Sequence, residues 1–194
     1  LKKIVVLFSG VGSNLEYILR HMHGKELEVV AAITNNPEAG GIAVAGKYGV
    51  TTEVIDHRKF GKREDFDKKL LEKIETYRPD LTVLAGFMRR LTPIFTKNVK
   101  AINLHPSLLP RHKGLNAIEK SWKDAFCEGG VTVHMVNEEL DGGVIICQYI
   151  IDKDGMDFEE YKAAVRKVEK DALADAIREV LDISQDCCDI NGQI

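Results

Sequence analysis

Asn103 and His105 are the residues of this chain best suited to chemistry. They sit in Asn103-Leu104-His105-Pro106-Ser107-Leu108-Leu109-Pro110, after the run Val99 to Ile102, which reads as the end of a buried strand. Residues two apart in a strand share a face, so the amide and the imidazole point the same way. The two prolines then stop the chain from continuing as regular structure. A second polar knot, Glu138-Glu139-Leu140-Asp141-Gly142-Gly143, lies between two further strand-like runs. Acyl transfer to an amine needs an acceptor for the amine's proton and a donor for the developing oxyanion. Asn103, His105 and Asp141 are such a set, since a carboxylate near the imidazole would orient it and raise its pKa. The spacing also permits a plainer reading, in which His105 caps a strand and Asp141 opens a turn. The position of His105 favours chemistry, because open α/β sheets bind ligands at the carboxyl ends of their strands.

Three further segments carry polar groups worth placing. Gly10-Val11-Gly12-Ser13-Asn14 follows the first apolar run and opens a helical stretch, where backbone N–H groups and the helix dipole favour an anion. A dinucleotide fingerprint would need glycine at position 15, which is Leu15, and no Gly-Lys-Ser/Thr follows. A single phosphate fits better than a dinucleotide; the alternative is a tight turn capped by Ser13 or Asn14. Gly86-Phe87-Met88-Arg89-Arg90-Leu91 follows the fourth apolar run and suits a flat heteroaromatic ring, or is an ordinary strand-to-helix loop with solvated arginines. Glu169 lies at the border of the apolar stripe of the last helix, facing solvent or a cleft. Among the other histidines, His21 and His23 read as solvated near a helix end, His57 and His112 as loop residues, and His134 as a strand residue whose structural role is at least as expected as a site role. No set has metal-ligand spacing, so no metal is expected.

These residues need elements to hold them. Ile4 to Phe8, Leu27 to Ile33, Thr51 to Ile55, Leu81 to Ala85 and Ala101 to Leu104 read as strands. Between them, Leu15 to Met22, Gly41 to Tyr48 and Arg63 to Tyr77 carry helical spacing, and Thr92-Pro93 is a helix start with Thr as N-cap. This order predicts a Rossmann-like, open, mostly parallel α/β sheet with helices on both faces. After residue 110 the pattern changes. Leu115 to Phe126 reads as a helix. Val131 to Val136 and Val144 to Ile151 read as an antiparallel strand pair joined through Asp141-Gly142-Gly143. Phe158, Tyr161, Val165, Val168, Ala172, Ala176 and Val180 mark a long C-terminal helix. The chain, 1–194, is expected to be a single domain, with 183–194 a loose tail.

Bulk properties narrow the classes. The 194 residues suffice for one core, and 44% hydrophobic with 29% charged residues suits a soluble globular protein. A net charge of -3 without a basic block speaks against nucleic acid or a membrane surface as partner. No apolar run approaches the ~18 residues that span a bilayer. Cys127, Cys147, Cys187 and Cys188 match no zinc or redox motif and are expected to be reduced thiols of a cytoplasmic protein.

From Ile4 to about Leu181 the chain resembles the phosphoribosylglycinamide formyltransferase family, folate-dependent enzymes of de novo purine synthesis. The motifs that carry the resemblance are Ser-Gly-Val-Gly-Ser-Asn at 9–14, Leu-Ala-Gly-Phe-Met-Arg at 84–89, Asn-Leu-His-Pro-Ser-Leu-Leu-Pro at 103–110, Val-Thr-Val-His-Met-Val at 131–136 and Glu-Leu-Asp-Gly-Gly at 139–143. The resemblance implies that Asn103, His105 and Asp141 are catalytic, with a protonated His105 and Asn103 stabilising the oxyanion and Asp141 holding the imidazolium. It implies that Gly12, Ser13 and Asn14 bind the phosphate of glycinamide ribonucleotide and that Glu169 meets its glycyl amine. It implies that Arg63, Met88, Arg89, Arg90 and Leu91, with Asn103 near the formyl group, bind the co-substrate 10-formyltetrahydrofolate. Small molecules are the expected partners of a monomer or homodimer. Two positions depart from the usual family pattern: Asn116, where His is common, and Arg90, where an aliphatic residue is usual. A formyltetrahydrofolate deformylase-type hydrolase and a non-catalytic phosphometabolite-binding module are the alternatives.

Overall fold

The computed structural model describes residues 1–184. The expected loose tail falls outside the described residues apart from 183 and 184, as do Cys187 and Cys188. Within them Cys127 and Cys147 are free thiols. The chain begins with β1 (Lys2–Phe8), α1 (Ser13–His21), β2 (Leu27–Thr34), α2 (Gly41–Lys47), β3 (Thr52–Val54), α3 (Arg63–Tyr77) and β4 (Leu81–Leu84). It continues with α4 (Pro93–Thr96), β5 (Ala101–His105), α5 (Ala117–Lys123), β6 (Glu128–Met135), β7 (Ile145–Asp152) and α6 (Phe158–Leu181). The strands form one seven-stranded sheet in the order β3-β2-β1-β4-β5-β6-β7. Strands β1 to β5 are parallel, while β6 pairs antiparallel with β5 and β7 antiparallel with β6.

The apolar runs are buried on both sides of this sheet, as parallel strands require. Ile4, Val6 and Phe8 join the core formed with α1, α2 and α6, whereas Val5 and Leu7 join a second core with Phe66, Leu70 and Ile74 of α3 and Phe95 of α4. The sheet order reverses direction at β1, so the loops after β1 and β4 flank a crevice at the carboxyl edge. Helix α6 closes the first face. Its start is fixed by a capping box between Asp157 and Glu160. Of the expected stripe, Tyr161, Val165, Ala172 and Ala176 are buried; Leu173, Ile177 and Leu181 complete the face, with Phe158, Val168 and Val180 at its half-buried edge.

Boundaries differ from the sequence expectation at α5 and at β6, which begins at Glu128 and not at Val131. The helix expected from Leu115 to Phe126 is only Ala117–Lys123, and both Leu115 and Phe126 are exposed. Gly114 and Asn116 are left-handed, with φ of 79° and 59°, so the helix cannot begin before Ala117. Asp124 is extended and ends it. At the start of α4, Thr92 is the N-cap but its side chain caps nothing. The buried Asp67 carboxylate accepts the Thr92 N–H instead (2.5 Å), tying α3 to the loop after β4.

The turn after β1 rests on a contact between two glycines. A Cβ at Gly12, whose φ is 81°, would lie 2.6 Å from the Gly41 Cα, and a Cβ at Gly41 would enter the Phe8 ring. The start of α2 is thereby pressed against the loop. Gly to Ala inside a helix ordinarily stabilises by about 1 kcal/mol. Here overpacking should reverse the sign, and Gly41→Ala is expected to lower the unfolding free energy by about 1–3 kcal/mol. A denaturant titration showing unchanged or raised stability would disprove the close packing.

Candidate active site

Asn103 and His105 end β5 on one face, as their spacing predicts. Ile102 and Leu104 point into the first core. Across the antiparallel pair, Asn103 stands opposite His134 and His105 opposite Thr132, so four polar side chains share that face. The chain leaves β6 with the Val136 N–H bonded to the Ala101 carbonyl. It then folds back over the sheet, because five residues later Asp141 reaches the level of His105.

Asp141 is the hub. Its side chain is only 7% exposed. Oδ2 accepts the Gly114 N–H at 2.8 Å and lies 3.5 Å from His105 Nδ1. Oδ1 lies 3.4 Å from Asn103 Nδ2 and 3.6 Å from His134 Nε2. Its backbone is left-handed (φ 49°), a conformation Asp tolerates better than most residues. The following glycines are required for packing: a Cβ at Gly143 would collide with the Met135 carbonyl oxygen. His134 Nδ1 lies 2.9 Å from the same carbonyl, so Nδ1 carries the proton and Nε2 accepts from Asn103 Nδ2 at 3.2 Å.

His105 Nε2 lies 2.8 Å from the His112 carbonyl oxygen. A carbonyl only accepts, so Nε2 carries the proton and Nδ1 is the open nitrogen, facing Asp141. Burial disfavours the imidazolium and outweighs the His112 carbonyl and Asp141, so the pKa of His105 is pushed below its ordinary 6.5. The protonated imidazole implied by the resemblance is therefore not the resting form. For Asp141, burial alone would raise the pKa, but the neighbouring His134 and His105 imidazoles and the Gly114 N–H hold it below its ordinary value.

An open cavity of ≈ 570 Å³ adjoins this cluster, between the loop after β4 and the loop carrying Asp141. Leu84, Phe87, Leu91 and Val136 give it apolar walls, with Asn103, His134 and Asp141 at one end. Arg89 Nε and Thr96 Oγ1 are buried without a partner among the described residues. Of the five side chains assigned to folate besides Asn103, the structure brings Arg89, Arg90 and Leu91 to the wall. It does not bring Arg63, exposed at the start of α3, or Met88, 71% exposed. The Met88 backbone N–H is bonded to Ser9 Oγ (2.8 Å), which ties this loop to the one after β1.

At that loop Gly12 is the N-cap of α1, and no side chain caps the helix. Neither Ser13 nor Asn14 acts as the cap, so amides of the first turn keep no side-chain acceptor, as an anion site needs. Asn14 Nδ2 donates to Glu169 Oε2 at 3.4 Å, which joins the loop to α6. Burial raises the pKa of Glu169 against the pull of Asn14, Arg166 and Lys170.

Sequence reasoning missed three contributors. His134 was readable only as a strand residue, since its place opposite Asn103 depends on strand register. The His112 carbonyl and the Gly114 amide are backbone groups and carry no residue signature. Among the described residues no group of three or more His, Cys, Asp or Glu is arranged to hold a metal ion, and no helix is long and apolar enough to cross a membrane.

The depressed pKa of His105 has a sign that can be checked. Below pH 6.5 the unfolded chain binds a proton at this position before the folded one does, so stability falls as pH drops from 6.5 towards the folded pKa. A side-chain NMR titration should give His105 a midpoint below 6.5 and a resting Nε2–H tautomer. A midpoint above 6.5 would mean that Asp141 outweighs burial.

Comparison with known proteins places this geometry. The sequence profile of the family described as Formyl transferase matches residues 2–177. The chain is 40% identical over 149 residues to the phosphoribosylglycinamide formyltransferase of Escherichia coli (strain K12), covering 75% of this chain and 70% of that protein. It is 36% identical over 176 residues to the enzyme of the same name from Haemophilus influenzae, covering 87% and 82%. The crystal structure of phosphoribosylglycinamide formyltransferase from Campylobacter jejuni superposes with a TM-score of 0.91 at 47% identity, covering 93% of this chain and 97% of that one. The strand order, the antiparallel extension and the long last helix agree with that fold, and the chain belongs to the formyl transferase family, with the phosphoribosylglycinamide formyltransferases.

Proposed function

We propose that this protein transfers the formyl group of 10-formyltetrahydrofolate to the glycyl amine of 5'-phosphoribosylglycinamide, with Asn103, His105 and Asp141 as catalytic residues. The observation that carries the reading is their clustering, with Asn103 and Asp141 lining one end of a cavity and His105 buried directly behind Asp141, on the same carboxyl edge as an uncapped helix start. The cavity suits a flat heteroaromatic co-substrate: Leu84, Phe87, Leu91 and Val136 offer apolar faces among polar residues, and Arg89 and Thr96 on its wall each carry a buried polar atom without a partner among the described residues. Arg89, Arg90 and Leu91 would hold that ring, and 10-formyltetrahydrofolate supplies the formyl carbon. The α1 amides at Gly12, Ser13 and Asn14 would take the ribonucleotide phosphate. Glu169, half-buried beside Asn14, would meet the glycyl amine.

In the transfer a bond forms between the glycyl nitrogen and the formyl carbon, the bond from that carbon to N10 breaks, and one proton moves from the amine to N10. Negative charge gathers on the formyl oxygen. Asn103 Nδ2, whose contacts at 3.2 and 3.4 Å are loose, is free to tighten on that oxygen. His105, neutral at rest, takes the amine's proton at Nδ1. The imidazolium so formed is paired with Asp141 at once, which offsets the burial that disfavoured it. The ion pair lasts only while the proton is in transit, so Asp141 acts chiefly on the transition state.

The test is loss of the formyl group from 10-formyl-5,8-dideazafolate with and without glycinamide ribonucleotide. Turnover should require the ribonucleotide and vanish in His105→Ala; turnover without it would point to a hydrolase. Asp141→Asn should lower kcat by about 10²–10⁴-fold with little change in KM. A raised KM with kcat intact would remove Asp141 from catalysis. Glu169→Gln should instead raise KM for the ribonucleotide, and an unchanged KM would remove Glu169 from that contact.

A further inference from the structure

His112 occupies an unusual position. It is a non-glycine residue in left-handed backbone (φ 57°), in the irregular segment between β5 and α5. Its carbonyl receives the His105 Nε2–H, and two residues on, the Gly114 N–H binds Asp141. One short stretch of backbone thus holds both members of the 3.5 Å His105–Asp141 pair. Upstream the segment is well pinned: Thr132 Oγ1 accepts the Leu109 N–H at 3.0 Å, Gln148 Nε2 donates to the Leu109 carbonyl at 2.9 Å, and Ser107 Oγ donates to the Arg111 carbonyl at 2.6 Å. None of these bonds fixes where the His112 carbonyl points.

The side chain of His112 supplies that constraint. Its Nε2 lies 2.6 Å from Asp124 Oδ2, just past the end of α5. The other oxygen, Asp124 Oδ1, receives Lys153 Nζ at 2.7 Å and the Phe126 N–H at 3.1 Å. Lys153 is itself buried and also donates to the Ser121 carbonyl. Arg111 Nη1 is 3.5 Å from Asp124 Oδ2, and Arg111 stacks on Phe126. Burial would raise the pKa of Asp124, but Lys153, His112 and the Phe126 amide bring it down to about 2, so it is charged throughout the working range. A permanently charged anchor, with a buried lysine behind it, holds an imidazole whose backbone sets the catalytic pair.

We propose that Lys153, Asp124 and His112 are positioning residues for the reaction: through the His112 carbonyl they lock His105 as the Nε2–H tautomer and reserve Nδ1 for the proton in transit. This rests on the catalytic role proposed above for His105, but its structural half does not. None of the three residues hydrogen-bonds or ion-pairs with Asn103 or Asp141, and they act through His105 and Gly114.

The discriminating variant is His112→Gly. Glycine accepts left-handed backbone freely, so it keeps the chain path while cutting the tether, and it leaves Asp124 paired with Lys153. Nitrogen-15 NMR of the imidazoles should show His105 as Nε2–H in the parent protein and as a mixture of tautomers in His112→Gly. The same variant should lose about tenfold in kcat with KM for both substrates unchanged. A second variant, Asp124→Ala combined with Lys153→Met, removes the anchor without leaving a lone buried charge; it should reproduce both effects. An unchanged His105 tautomer in either folded variant overturns the proposal, whatever the activity. So does a kcat loss matched by a rise in both KM values, which would indicate general loosening. If the tautomer shifts in both variants yet kcat holds, the positioning of the ring stands but its use in catalysis is overturned, and the role of His105 as proton acceptor falls with it.

Discussion

The site is organised around one electrostatic constraint: Asp141 keeps a negative charge where almost no water reaches it. A carboxylate in such a place either binds a proton or is surrounded by donors. Four groups from three segments converge on it: the Gly114 amide and Asn103 as donors, and the imidazoles of His105 from β5 and His134 from β6, each with its unprotonated nitrogen towards the carboxylate. Only the Gly114 bond is short. The other three contacts, at 3.4 to 3.6 Å, lie beyond good hydrogen-bond length. The charge is thus tolerated but not saturated, and a proton arriving on His105 would complete its surroundings.

That constraint explains why a parallel sheet ends in an antiparallel extension. Five parallel strands supply the crevice and its two loops, but their connections run over the helical layers. The antiparallel β6 sets His134 directly opposite Asn103, and the loop after it can fold back along the sheet face instead of leaving it. The return is tight. Gly143 passes the Met135 carbonyl with no room for a Cβ, and Asp141 takes left-handed backbone to turn inward. Asp-Gly-Gly is therefore one geometric unit, with the first residue carrying the charge and the third allowing the chain back into β7.

How much of this was legible in the sequence depended on whether a residue's task is local. The strands and most helices follow from apolar runs and periodicity, because burial on both faces of a parallel sheet leaves a continuous imprint. Asn103 and His105 were legible because a strand's alternation fixes their shared face. Asp141 was legible as a candidate partner for His105 within a polar knot, but their meeting is set by a loop path that no spacing encodes. His134 was legible as a strand residue with its site role left open for the same reason, since register alone brings it to Asn103. The shortened α5 illustrates the converse. Leu115 and Phe126 bounded the expected helix, but left-handed backbone at Gly114 and Asn116 decided its start, and that choice serves Asp141, which needs the Gly114 amide.

The two proposed binding regions are also joined mechanically. Ser9 Oγ donates to Asn35 Oδ1 and accepts the Met88 N–H, while the Ser9 carbonyl accepts from Asn36 Nδ2 at 3.3 Å. The loops after β1, β2 and β4 are thereby one hydrogen-bonded unit. On the other side Asn14 links the first of these loops to Glu169 of α6. A bimolecular transfer gains most from holding its two reactants in a fixed relation, because the loss of their freedom is then met by binding and not at the barrier. The loop proposed to take the phosphate and the loop proposed to hold the ring share a serine, which supplies such a relation before either ligand arrives. The exposed Met88 side chain is consistent with this division of labour: what the position contributes is its backbone N–H, which sets the loop, while Arg89, Arg90 and Leu91 face the cavity.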